Sequence, residues 1–152
     1  MAHVERDLFT VGVFQDLAWA ERGIAALAEQ GFQAASVSVL AKETPEAYAF
    51  VERVTGAGPA RLELPAVGAA VARGELIGVL DGPQKDLGRI GLAAAMRRAG
   101  FQPHDGLIYE TLTGRGGILV AVHGAPRAAD ALATMLSFGG ANAAIGAWAG
   151  RV

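Results

Sequence analysis

Two passages decide the fold. Leu8-Phe-Thr-Val-Gly-Val-Phe-Gln15 leads through Asp16 into a helix-patterned run ending at Gln30, and Gly117-Ile-Leu-Val-Ala-Val-His123 leads into a second such run ending near Phe138. In the first, Phe9, Val11 and Val13 alternate with smaller or polar neighbours, which predicts a strand. Asp16 is placed to cap a helix in which Leu17, Ala20, Ile24, Leu27 and Ala28 recur at spacings of three and four. Gly31 is a natural left-handed stop, and Phe32 after it can pack back on the last turn. Ala34 to Lys42 alternates again, with Val37 and Val39 opposed to Ser36 and Ser38, and completes a β-α-β unit.

The second passage repeats this grammar. Gly117 to His123 reads as a strand, Pro126 sits where a helix would begin, Gly139-Gly140 ends it, and Ala143 to Ala149 reads as a closing strand. At an offset of 109, Val11 meets Val120, Val13 meets Val122, Glu21 meets Asp130, Leu27 meets Leu136 and Gly31 meets Gly140. The expectation is an internal duplication: an α+β, ferredoxin-like fold in which two βαβ units form one antiparallel sheet with both helices on one face.

Residues 43–116 are not required by that fold and read as a helical, Gly/Ala-rich insertion. Thr44 with Pro45 opens a short helix to Val54, broken by Gly56-Ala-Gly-Pro59. Leu64 to Leu80 and Asp86 to Ala99 read as a small-residue helical pair about the turn Asp81-Gly82-Pro83, and Pro103 to Thr113 as a further helix. Gly68, Gly74, Gly78, Gly88 and Gly91 each weaken an isolated helix by about 1 kcal/mol relative to Ala, so close backbone packing must compensate. A pair with so few large side chains calls for something to pack on, each other or another subunit.

Of 152 residues, 32 are Ala and 21 Gly, and none is Cys, which removes disulfides, thiolate metal sites and a cysteine nucleophile. The chain is long enough for one domain, with a first unit (1–42), the insertion (43–116) and a second unit (117–152). Thirteen Lys+Arg against fifteen Asp+Glu give no electrostatic case for nucleic acid. The opening Met1-Ala-His-Val-Glu-Arg-Asp7 lacks an apolar signal region, so a cytoplasmic location is expected. The small-apolar run from Leu64 stops at Arg73 and Glu75, short of the roughly 20 residues of a membrane span.

Few groups carry chemistry. His3, His104 and His123 have no metal-ligand spacing, so no metal and no cofactor are expected. His123 closes a strand beside Val120 and Val122, and His104 beside Asp105 suits a helix start. Asn142, Trp148 and His123 are residue types used by small haem-degrading enzymes, in the wrong order and spacing. The strongest ligand candidate is Tyr109-Glu110 followed by Gly114-Arg115-Gly116-Gly117: a glycine loop can expose N–H groups to an anion, with Arg115 adding charge. The candidate binding residues are therefore Tyr109, Arg115, Gly116, Gly117 and His123. The opposing reading is a tight turn feeding the next strand, with Tyr109 packed on the sheet.

Val11-Gly-Val-Phe14, Ala20-Glu21, Gly31-Phe32, Tyr109-Glu110, Gly116-Gly117 and Leu119-Val-Ala-Val122 occur in an order that resembles the general stress protein family, also described as heat-induced stress proteins. The resemblance spans nearly the whole chain. It implies a stress-associated, non-enzymatic or unassigned role and carries no catalytic residues with it. In that family the Gly/Ala-rich middle is often a longer uncharged run; here Arg73, Glu75, Lys85, Asp86 and Arg89 interrupt it. The expectation is a non-catalytic protein that self-associates, as a dimer. The alternative is a small-molecule or anion sensor with a concave pocket touching Tyr109 and Arg115.

Overall fold

The structure, a computed structural model, describes residues 8–124 and 127–147. In chain order the elements are β1 (Leu8–Phe14), α1 (Leu17–Glu29), β2 (Val37–Lys42), α2 (Pro45–Thr55), β3 (Ala60–Leu64), β4 (Gly68–Arg73), α3 (Glu75–Asp81), α4 (Asp86–Ile90), α5 (Leu92–Ala99), α6 (Pro103–Gly114), β5 (Ile118–His123), α7 (Ala128–Ser137) and β6 (Ala141–Ala147). The fold is α+β. Its six strands form one sheet in the order β3-β4-β2-β5-β1-β6, and every neighbouring pair is antiparallel. Consequently β1 and β2 run parallel with β5 between them, and β5 and β6 run parallel with β1 between them.

Local chemistry starts and stops these elements where expected. The Asp16 side chain accepts the Trp19 N–H at 2.9 Å, and Thr44 Oγ1 accepts that of Ala47 at 2.9 Å with Pro45 in the first turn. Helix α1 ends in a Schellman motif: Phe32 N–H donates to Leu27 O and Gly31 N–H to Ala28 O, with Gly31 at φ +95°. Pro126 and Trp148 lie outside the described residues.

The inner strands of the sheet, β4, β2, β5 and β1, are buried on both faces. On one, Val37, Val39, Ala41, Val71, Ile118, Val120 and Val122 pack under α1, α2 and α7, represented by Leu27, Phe50 and Met135. On the other, Val11, Val13, Leu40, Ala70, Ala72, Leu119 and Ala121 pack under α3 to α6, represented by Leu76, Leu80, Leu87, Leu92, Met96 and Tyr109. Helices α1 and α7 thus share a face, and residues 74–114 roof the opposite one.

Two sequence expectations need correction. The insertion is not simply helical: Leu64 closes β3, Gly68–Arg73 is β4, and only Glu75–Asp81 of the first expected helix is helical. Gly68-Ala-Ala-Val-Ala72 has no decisive period of its own. Pairing to β2 and β3 settles it, sending Ala70 and Ala72 to one face and Val71 to the other. The second expected helix is split at Gly91, whose φ of +92° ends α4 and starts α5.

The offset of 109 does not match residues of like face. Gly12 pairs with Val120 across the β1–β5 ladder, so Val11 and Val120 lie on opposite faces, as do Val13 and Val122. Leu136, aligned to buried Leu27, is 56% exposed. An offset of 108 restores every face: Val11 with Leu119, Val13 with Ala121, Phe14 with Val122, Leu27 with Met135, and Gly31 with Gly139. Alternation makes a one-residue slip equivalent to turning the strand over, and an Ala-rich chain offers few large residues to reveal it.

Within the roof, Asp86 is buried, with Arg98 Nε 2.6 Å from one carboxylate oxygen and Arg89 Nη2 at the other. Arg98 also donates to the carbonyls of Val79 and Leu80 at 3.0 and 2.8 Å, so one ionic joint ties α3, α4 and α5. The Arg89 hydrogen bond, aided by the charges of Arg89 and Arg98, holds the Asp86 carboxyl below its ordinary value against the opposing effect of desolvation. A lowered folded-state pKa gives stability present above the unfolded value, near 4, and lost as pH falls through the folded value. Asp86→Asn is therefore expected to unfold at lower urea than the parent at pH 7. The gap between the two midpoints should narrow as pH falls below about 4, measured by urea titration across that range.

A single glycine gives a steric check. Gly74 has φ +128°, and a Cβ there would lie 2.5 Å from Ser38 Cα, while the Ser38 hydroxyl accepts the Leu76 N–H at 3.0 Å. Gly74→Ala should cost upwards of about 2 kcal/mol in denaturant unfolding. Gly68→Ala, with nothing within 4 Å of its added carbon, should cost about 1 kcal/mol.

Candidate functional site

Tyr109 lies on the inner side of α6, fully buried between the roof and β1, and its hydroxyl donates to Val11 O at 3.4 Å. Burial, with the charge of Asp105, pushes the phenol up from its ordinary value, so it stays protonated at neutral pH. Its neighbour Glu110 turns the other way and accepts the Ala93 N–H at 3.1 Å, filling a vacant donor in the first turn of α5. The Tyr-Glu pair is thus a two-sided joint, one side chain on the sheet and the other on an adjacent helix.

The glycine loop after it is a helix cap. Gly117 N–H donates to Leu112 O at 2.9 Å and Gly116 N–H to Thr113 O at 3.0 Å, with Gly116 at φ +102°, while the Arg115 N–H bonds Thr111 and Leu112. These are the bonds of a Schellman motif. The N–H groups of Arg115, Gly116 and Gly117 face the helix carbonyls, which corrects the expectation of an anion cradle. Gly117 must also be small, because an added Cβ would stand 2.6 Å from Val13 Cγ1.

The sequence candidates do not converge. A recess of about 300 Å³ is lined by Val13, Phe14, Gln15, Leu112, Arg115, Gly117 and Gly139; it holds Arg115 and Gly117 but not Tyr109. Gly116 lines a different recess, of about 530 Å³, where the starts of α1 and α2 meet Lys42 and Glu43. Lys42 Nζ donates to Gly114 O at 3.2 Å, tying β2 to the end of α6. His123 is at the opposite end of the sheet: its ring stacks on Phe9 at 4.6 Å and its Nδ1 is 3.0 Å from Glu75 Oε2, joining β5 to the start of α3. His104, exposed, is 3.1 Å from Asp105. Trp19 is half-buried against the core with Arg22 over its ring.

Sequence reading missed Asp86 and Arg98, which lie twelve residues apart and are joined only by tertiary structure. It also missed the open hollow of about 630 Å³ where Arg61 stacks on Tyr48 at 4.8 Å and pairs with Glu43 at 2.6 Å. Among the described residues, no group of three or more His, Asp or Glu side chains is placed to hold a metal ion. No described helix is long and apolar enough to cross a membrane.

The two halves of the motif can be separated by mutation. Tyr109→Ala should cost about 3–5 kcal/mol and Glu110→Ala about 1 kcal/mol, as core-cavity and cap losses respectively. Arg115→Ala should stay within about 0.5 kcal/mol of the parent, as for an exposed side chain. Urea midpoints of the three variants check the order.

No family model, no curated protein and no solved structure matches the chain.

Proposed function

We propose that this chain is a non-catalytic, stress-associated protein of structural role that self-associates as a homodimer in the cytoplasm. The observation that carries the reading is the placement of the residues that resemble the general stress protein family. Tyr109 anchors α6 on the sheet, Glu110 caps α5, and Gly116-Gly117 close α6 and admit β5. Each acts on the fold, and none points toward a shared reaction centre. The same reading takes β2-β5-β1-β6, with α1 and α7, as a ferredoxin-like duplication at an offset of 108. It is supported by the matched faces of the two units and by the same Schellman ending on α1 and α7.

The small-residue helices that suggested a partner at sequence level are roofed onto the sheet of their own chain. The case for association therefore rests on surface rather than on an unfinished core. Sedimentation equilibrium at micromolar concentration should return twice the 15.6 kDa chain mass. A single-chain mass would overturn the dimer.

A second reading follows from the recess beside Arg115: a small anionic ligand held by the guanidinium over the apolar floor of Val13, Phe14 and Leu112. Titration with inorganic phosphate should then shift the amide resonances of residues 13–15 and 115–117, and Arg115→Ala should abolish the shifts. Unchanged resonances in the parent would remove this reading.

A further inference from the structure

Five of the described arginines are paired with carboxylates: Arg53 with Glu21, Arg61 with Glu43, Arg89 and Arg98 with Asp86, and Arg127 with Asp130. Several hollows are matched in the same way. The one at Tyr48 holds Arg61 beside Glu43, and the one where α1 and α2 start holds Lys42 beside Asp16 and Glu43. A third, at the end of β4, holds Arg73 beside Glu75. The recess at the end of α6 differs from these. Among the described residues that line it, Arg115 carries the only charge. Its side chain is exposed and, among the described residues, has no hydrogen-bond or ion-pair partner.

What such a recess can hold follows from its lining. Its side-chain donors are the Arg115 guanidinium and the Gln15 carboxamide, because the backbone N–H groups of residues 115–117 already close α6. One cation and one amide match the single charge and two in-plane oxygens of a carboxylate. A phosphate dianion would keep a charge and oxygens unmet. The rest of the lining is apolar or bare: Leu112 is half-buried, Val13 and Phe14 lie beneath, and Gly117 and Gly139 add no side chain. A Cβ added at Gly117 would strike Val13 Cγ1 at 2.6 Å, whereas one at Gly139 would meet nothing nearer than Trp19 Cε3 at 4.0 Å. The space therefore opens on the Gly139 side. Its volume, about 300 Å³, is at the small end of ligand pockets.

We propose that this recess takes a small monocarboxylate with a short hydrocarbon tail. The carboxylate pairs in plane with the Arg115 guanidinium, and the tail lies against Leu112 and the Gly139 backbone. The proposal rests on the anionic-ligand reading of the same recess and names the class of anion. Methylenes withdrawn from water beside Leu112 add affinity that a bare anion cannot gain.

The test follows amide resonances of the full chain during separate titrations with sodium hexanoate, sodium acetate, inorganic phosphate and 1-hexanol. Hexanoate should shift residues 13–15, 112, 115–117 and 139 with a Kd at least about tenfold below that of acetate or phosphate, as burial of a few methylenes requires. Hexanol at the same concentrations should leave those amides unmoved, and Arg115→Ala should abolish the hexanoate shifts. Acetate or phosphate binding as tightly as hexanoate would overturn the tailed carboxylate and leave an anion site standing. Hexanol shifts equal to those of hexanoate, or hexanoate shifts that survive Arg115→Ala, would overturn it by showing apolar contact without the cation. Unmoved amides with all three anions would overturn both readings. If the variant fails to fold, the comparison of hexanoate with hexanol and acetate in the parent decides alone.

Discussion

β5 has two faces to hide from water. Ile118, Val120 and Val122 point one way and Leu119 and Ala121 the other, and all five are buried. A strand in the middle of a sheet that is apolar on both sides needs a layer above and a layer below. Helices α1 and α7, with α2, cover only one face. The other face would expose Val11, Val13, Leu40, Leu119 and Ala121, a far larger apolar patch than a lone domain carries. Residues 43–116 are therefore not an ornament between two halves. Their helices α3 to α6 provide the second layer, and β3 and β4 widen the sheet beneath it.

That requirement also explains the composition. The roof must sit close to a sheet face lined by Ala70, Ala72 and Ala121, so its helices are short and thin, with glycine where backbones nearly touch. Gly106 is such a place: an added Cβ would stand 3.0 Å from the Ala93 carbonyl where α6 crosses α5. Gly74 is another, pressed onto Ser38 at the turn from β4 into α3. Few large side chains line this layer, and Leu76, Leu80, Leu87, Leu92, Met96 and Tyr109 are all fully buried in it. Polar joints hold the layer in register: Asp86 with Arg89 and Arg98, Glu110 on α5, and the Tyr109 hydroxyl on β1.

Much of this was legible in the residues where the chemistry is local. Asp16, Thr44-Pro45 and Gly31 marked helix ends because a cap or a positive φ is decided within five or six residues. The strands β1, β2 and β5 were legible because Val, Leu and Phe alternate. Legibility failed where residues are small. Gly68 to Ala72 alternates between faces, but with alanines on one side and little bulk on the other the period is faint. The 109-residue alignment put residues of unlike face together because β5 is apolar on both faces, so either parity scores well. The site fared worse for a physical reason: the same glycine loop can serve an anion or a helix end. Which one it serves depends on whether the carbonyls of Leu112 and Thr113 are within reach of its amides, and they are.

If the roof is a structural layer, it should not come off separately. Native-state hydrogen exchange measures this directly, because amides released by a partial opening exchange with a lower free energy than those that need global unfolding. The account predicts that the most protected amides of α5 and α6 exchange with the same free energy as those of β5. It also predicts that both sets respond identically to added denaturant. Exchange of α3 to α6 at a distinctly lower free energy, with β1, β2 and β5 still protected, would contradict it and make residues 74–114 an appendage on a sheet that stands without them.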